Sequence, residues 1–342
     1  MDSHLPIIAL DYWKTSEVST ADSQLLLEST FFVMLIFSLI HTPYLNSLPT
    51  AEKLRTPLHF TASELAIFQG SNLYGATIDR EKELKKEWEN CQKVVAEGDS
   101  IWGKEYTWLY ALLSSNKRSL MSLLREKYLT AGTYISSRAF TSSLLSAVSK
   151  ESCNTPPYPI LLPGVDSLNH ARAHPVSWVF SPSNGDTYTD QGYTIGVVHH
   201  ISASQGQELL NNYGPKPNAE LILGYGFSLP DNPEDTIVLK LGGFEGRKWE
   251  IGRCAHNAEG LWQEILSSFL EIKGEEPTYE DILDAAGSLQ EMTERTLERI
   301  PPRNISDSDG TRPEIAEMLH NYIDGMSSLI ANFPECFDSN IP

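Results

Sequence analysis

The chain has 342 residues, 41% of them hydrophobic and 21% charged, enough for a sizeable core and for two domains or one domain with a large insertion. Its formal net charge of −19 excludes general nucleic-acid binding, which needs clustered Lys and Arg, and suits a basic protein partner. The four cysteines, Cys91, Cys153, Cys254 and Cys336, form no C-x-x-C pair, so neither a zinc site nor a disulfide framework is expected, and isolated thiols fit a reducing compartment, cytoplasmic or nuclear.

Residues 1–23 show no clear period, and 25–40 read as a buried helix. Its most apolar run, FFVMLIFSLI at 31–40, is shorter than the ~20 residues a transmembrane helix needs, and no basic region precedes it as in a signal peptide. HTPYLNSLP at 41–49 reads as an extended, turn-rich exit punctuated by Pro43 and Pro49. Thr61-Ala62-Ser63-Glu64 is a capping-box signature that starts a helix with Leu65, Phe68 and Leu73 on its apolar side. A charged helix over 79–95 follows, with Leu84, Trp88, Cys91 and Val95 on one stripe, and 106–113 and 120–128 add more helix.

Residues 134–149 read as a strand entering a helix, and 154–159 (NTPPYP) as a loop. The β-branched and aromatic runs at 176–180 and 193–199 predict a hairpin, followed by a short apolar run at 221–224 and a strand at 236–241. After Gly242 the pattern turns helical throughout, over 258–272, 279–300 and 313–333. The second of these opens on a capping box at Thr278, and the third carries Ile315, Met318, Tyr322 and Met326 as a packing stripe.

Neither a G-x-G-x-x-G fingerprint nor a G-x-S-x-G elbow is present. His170 and His174 have helical i, i+4 spacing, but Pro175 follows at once and no Glu lies between them, so no metal is expected. The densest concentration of polar, aromatic and glycine residues is 161–227, which contains LLPGVDSLNH (161–170), GQELLNNYG (206–214) and NAELILGYGF (218–227). Taken singly, an Asn-His loop pair or a Tyr-Gly strand end is ordinary packing; the ordered set is what carries information.

Together with SRAF at 137–140, PYLNSLP at 43–49, a helical insert and a helical C-terminal part, that set resembles the SET-domain methyltransferases. The nearest branch is that of the Rubisco large-subunit and other non-histone lysine methyltransferases. The resemblance covers about 40–240 well and the C-terminal part loosely. It implies an α+β fold: a β-rich SET domain with a helical insertion, threaded around 206–227, and an all-helical C-terminal lobe that docks a protein substrate. The implied boundaries are 1–58 for a divergent N-terminal SET portion, 59–133 for the insert, 134–241 for the SET core and 242–342 for the lobe.

The same resemblance implies S-adenosylmethionine as cofactor, with Arg138 on its carboxylate, Asn169 and His170 contacting it largely through backbone, and Phe227 stacked on the adenine. Tyr213 corresponds to the catalytic tyrosine beside the cofactor, and Tyr225 to a second active-site tyrosine lining the lysine channel. Glu208 is expected to be a structural hydrogen-bonding residue. The implied partner is a ribosomal or other basic cytosolic protein, with no nucleic acid, no membrane and a monomeric enzyme.

Two departures qualify the match. The family's N-terminal Gly-x-Gly loop has no counterpart in 1–23, which contains no glycine, so the segment is either lacking or replaced. A third tyrosine often found after the Asn-His pair is also missing; Trp178 and Phe180 lie there instead, without the hydroxyl. These keep open a catalytically weak or inactive SET-fold binding module, and the branch itself keeps open a histidine acceptor.

Overall fold

A computed structural model describes residues 42–97, 117–146, 158–182, 193–241, 246–270, 276–303 and 310–340. In chain order the elements are α1 (Thr42–Ser47), α2 (Ala62–Ala66), α3 (Asn72–Glu97), α4 (Lys117–Arg138), β1 (Phe140–Thr141), α5 (Ser143–Ser146) and β2 (Pro159–Ile160). Then come β3 (Val176–Pro182), β4 (Tyr193–His199), α6 (Asn218–Tyr225), β5 (Ile237–Leu241), β6 (Arg247–Ile251), α7 (Glu259–Phe269), α8 (Tyr279–Glu298) and α9 (Pro313–Asn340). The strands pair antiparallel as β1–β2, β3–β4 and β5–β6. By contacts the chain divides into two compact units, Met1–Leu54 with Lys82–Pro215, and Arg55–Glu81 with Lys216–Pro342.

In the first unit, Leu48, Leu54, Ala131 and Tyr134 form a small core, with Tyr44, Leu45, Ile135 and Leu161 packed on it. The Tyr134 hydroxyl donates to the carbonyl of Pro49, so the polar end of this buried ring is satisfied. The predicted hairpin is present: Val176 pairs with His199 and Pro182 with Tyr193. Two local readings change. PYLNSLP lies largely in helix α1, because Pro43 falls in the first turn, where a missing N–H costs nothing. The stretch read as a strand from 134 is the end of α4; the Thr130 and Ser137 hydroxyls bond the carbonyls of Glu126 and Thr133, four residues back. The expected helices at 25–40 and 106–113 lie outside the described residues, among which no helix is long and apolar enough to cross a membrane.

The second unit holds the larger core. Phe68, Leu73, Ile222, Ile237 and Leu239 are buried with the inner faces of α7, α8 and α9, including Leu261, Ile265, Leu289 and the predicted stripe of Ile315, Met318, Tyr322 and Met326. Each core side chain of this size contributes roughly 1.5–3 kcal/mol by leaving water. Here too two readings change. Residues 221–224 belong to α6 rather than to an extended run. Within the tail expected to be all helix, β6 pairs with β5, Ile251 opposite Ile237 and Trp249 opposite Leu239.

Both capping boxes form as read. Thr61 accepts from the Glu64 N–H at 3.2 Å and the Glu64 carboxylate accepts from the Thr61 N–H at 2.9 Å; Thr278 and Asp281 repeat the exchange. Glu64 does more than cap. It is 1% exposed and takes a two-pronged grip on Arg312, Nε to Oε1 at 2.8 Å and Nη2 to Oε2 at 3.0 Å. Burial pushes this carboxyl up, but the Arg312 hydrogen bonds and the Thr61 N–H outweigh it and hold its pKa down at about 2. A depressed carboxyl contributes stability above its ordinary value of 4.5, and that contribution is lost as pH falls through about 2. Glu64→Gln should therefore cost about 3 kcal/mol at pH 7 by taking the buried carboxylate charge away from Arg312. In urea melts this deficit should shrink between pH 4.5 and 2; a deficit constant across that window removes the ion pair as its cause.

Candidate active site

Motif 161–170 is shaped by a turn. Gly164 sits at φ 92°, a conformation that favours glycine, and the N–H groups of Val165 and Asp166 both bond the Leu162 carbonyl. The turn buries Asp166, whose carboxylate accepts from the Gly164 N–H and from the Tyr44 hydroxyl of α1. Burial pushes the Asp166 carboxyl up, while Tyr44 and Arg138 pull it down. Arg138, the last residue of α4, donates from Nη1 to the backbone carbonyl of Asp166 at 3.0 Å. Among the described residues no carboxylate lies within 4.0 Å of the Arg138 guanidinium, although the Asp166 carboxylate is near enough to feel its charge.

One step along the chain, the Asn-His pair meets the NNYG motif through a parallel bridge between His170 and Asn211. The Asn211 N–H donates to the Asn169 carbonyl at 2.7 Å, and its carbonyl accepts from the Ala171 N–H at 2.8 Å. In a parallel pair this directs the His170 backbone N–H and C=O to the edge away from Asn211. The Asn169 side chain donates to Glu208 at 2.6 Å, so Glu208 orients the amide, in keeping with its expected structural role.

Tyr213 is tied to the same segment three ways. Its backbone N–H donates to His170 Nδ1 at 3.0 Å, its ring stacks on the imidazole with centroids 5.1 Å apart, and its hydroxyl donates to the Leu168 carbonyl at 2.7 Å. A ring nitrogen that accepts an N–H is unprotonated, so the His170 proton sits on Nε2. With its own proton committed to Leu168, the Tyr213 oxygen can meet an incoming amine only as an acceptor. His170 and His174 do not converge as a pair: His174 Nε2 faces His199 Nδ1 at 3.4 Å, and His170 is held by Tyr213.

Tyr225 and Phe227 belong to the second unit. Helix α6 closes on Gly226 at φ 77°, whose N–H caps the Leu221 and Ile222 carbonyls; a Cβ there would lie 2.7 Å from the Arg55 backbone. The turn sets the Tyr225 and Phe227 rings edge to face, 6.1 Å between centroids. The Lys216 ammonium lies 5.7 Å from the Tyr225 ring centre and pairs with Glu220. Burial pushes the Tyr225 phenol up, with Lys216 pulling the other way, so Tyr225 stays a neutral phenol around pH 7. Asp166 and Tyr44 were not read as site residues, because only folding brings 44, 138 and 166 together. Lys216 carries no motif of its own.

No protein-family model matches the chain. Over 198 residues it is 35% identical to ribosomal lysine N-methyltransferase set10 of Schizosaccharomyces pombe, a match covering 58% of this chain and 30% of that protein. Over 215 residues it is 32% identical to ribosomal lysine N-methyltransferase 1 of Saccharomyces cerevisiae, covering 58% of this chain and 34% of the relative. Human N-lysine methyltransferase SETD6 is 26% identical over 166 residues, 45% of this chain and 32% of that one. The matches thus span about a third of the length of these curated relatives.

Among solved structures, the SET domain of LSMT bound to lysine and AdoHcy superposes with a TM-score of 0.64 at 16% identity, covering 95% of this chain and 78% of that one. Rubisco LSMT bound to AdoMet gives a TM-score of 0.61 at 18% identity, covering 95% and 77%. The chain has the SET-domain fold of the α+β class, and the likeness to SET-domain lysine methyltransferases read from its motifs holds in sequence relatives as well as in fold.

Proposed function

We propose that the chain is an S-adenosylmethionine-dependent protein-lysine N-methyltransferase acting on a non-histone protein. The observation that carries this is the clasp of Tyr213 on the Asn-His segment, which presents a phenol oxygen as an acceptor beside a backbone edge. The names of the sequence relatives favour the same chemistry. The residues present fit the cofactor. In the first unit, Arg138 offers a guanidinium fork with no described carboxylate in ion-pair reach, suited to a carboxylate, and the His170 backbone edge suits a purine. Phe227, in the second unit, is an aromatic ring of the kind that stacks on adenine. When bound, S-adenosylmethionine supplies an electrophilic methyl on a sulfonium.

The chain's own work is positioning. The Tyr213 oxygen takes a hydrogen bond from the acceptor amine and turns its lone pair, and Tyr225, in the second unit, stays a neutral phenol. A free lysine is mostly protonated at pH 7, and an aromatic, water-poor channel lowers its pKa by desolvation. The net charge of −19 favours a basic substrate, of the ribosomal or other cytosolic kind, over nucleic acid. We read the protein as a monomer working in the cytoplasm or nucleus and away from membranes.

Calorimetric titration of the purified chain with S-adenosylmethionine should give a single site that Arg138→Ala weakens at least tenfold. The absence of both heat and a thermal shift at millimolar cofactor would sink the proposal. Radiolabelled methyl transfer into purified ribosomal proteins, followed by mass spectrometry, should find methyl-lysine. Cofactor binding with no transfer would support the binding-module reading, and label on histidine would move the acceptor.

A further inference from the structure

Away from these residues, a cavity of about 510 Å³ opens within the second unit, in the ordinary size range of small-ligand sites. Its walls come from β5, α8, α9 and the turn that precedes α3. Lys240, Arg295 and Arg299 line it, and among the described residues no Asp or Glu does, in a chain where acids outnumber bases 45 to 26. Arg295 pairs with Glu291, which does not line the cavity; Lys240 and Arg299 make no ion pair with any described residue.

The lining mixes polar and apolar surface. Leu239 and Tyr322 are buried, and Met292 and Met326 supply flexible, polarizable surface beside them. The Tyr322 ring is 3% exposed and packed within the core of this unit. Burial pushes its phenol up to about 12, and it adds no negative charge. Asn72 is likewise held, its amide donating to the Val238 carbonyl at 3.1 Å.

We propose that this cavity binds an amphiphilic anion, a phosphate or carboxylate group carried on an apolar body. Lys240 and Arg299, which pair with no described carboxylate, favour an anionic head, and the Arg299 fork can take two oxygens of a carboxylate or a phosphate. The partly exposed Val238, Met292 and Ile300 accept the body. Such an anion arrives either as a small molecule or as a side chain presented by a partner protein. None of the lining residues is among those proposed for methyl transfer, so the site stands or falls independently of that activity.

The test is ligand-observed NMR and calorimetry on the full chain with phenyl phosphate, decanoate, inorganic phosphate and benzyl alcohol. Phenyl phosphate or decanoate should bind at least tenfold more tightly than inorganic phosphate and benzyl alcohol. The double variant Lys240→Glu with Arg299→Glu should lose at least tenfold, whereas Lys53→Glu, an exposed change in the other unit, should lose nothing; thermal melts confirm that all three chains fold. A blocked phosphotyrosine tetrapeptide separates the sources. Tighter binding than phenyl phosphate points to a partner's side chain, and weaker binding to a small ligand. The proposal is overturned if benzyl alcohol binds as well as the anions, if neither amphiphile binds at millimolar concentration, or if the double variant keeps its affinity.

Discussion

Tyr213→Phe should lower the turnover of methyl transfer about a hundredfold or more, while cofactor affinity changes by less than about threefold. The substitution removes one oxygen and leaves the ring, so the stack on His170 at 5.1 Å and the backbone bond to Nδ1 both survive. What disappears is the oxygen beside Leu168, and with it the acceptor proposed to hold the amine in line. The folded state should lose only about 1 kcal/mol, the net worth of one ordinary hydrogen bond. Steady-state kinetics with calorimetry separates the two contributions. If turnover in the variant is within a few-fold of wild type, Tyr213 packs but does not orient, and the proposed mechanism fails. A parallel loss of cofactor affinity instead would mean that Tyr213 acts through His170.

The motifs were legible because each is short and contiguous: NH at 169–170, NNYG at 211–214 and GYGF at 224–227 keep their meaning without knowledge of the fold. The two capping boxes and the hairpin were legible for the same reason, since their partners lie within a few residues or on a simple alternation. What escaped was long-range or ambiguous in period. Tyr44, Arg138 and Asp166 are linked across 122 and 28 residues, and no local pattern encodes that meeting. In α4, a Thr- and Ser-rich stretch looked strand-like because sequence does not show hydroxyls bonding their own helix. In β6, Arg247, Lys248 and Glu250 are exposed and only Ile251 is fully buried, so the strand carries almost no hydrophobic alternation. The 221–224 run was too short for its period to separate helix from strand. Asn218 and Asp235, which fix the start of that helix, are seventeen residues apart.

Gly325→Ala should destabilise the second unit by roughly 3 kcal/mol, although alanine is normally the better helix former. A Cβ on Gly325, within α9, would lie 2.0 Å from Asp235 Oδ2. The carboxylate has nowhere to go. Oδ1 accepts from the Asn218 N–H at 2.6 Å and Oδ2 from the Asn218 amide at 3.0 Å, while Asn218 also bonds the Leu229 N–H and carbonyl. Gly287→Ala in α8 is the matched control, because nothing lies within 4 Å of its Cβ, and it should gain about 1 kcal/mol. Opposite signs in urea melts support the clash, and equal signs dismiss it. Burial pushes Asp235 up to about 6, against the Asn218 hydrogen bonds and the charge of Arg253. A raised carboxyl contributes stability below its ordinary value of 3.8 and loses it as pH climbs through about 6, so Asp235→Asn should flatten the decline across that window. The same hub anchors the first residue of α6, whose last residue is Tyr225. Loosening it should therefore raise the mobility of the Tyr225–Phe227 pair before the unit unfolds, visible as faster ring flips by NMR in Gly325→Ala than in Gly287→Ala.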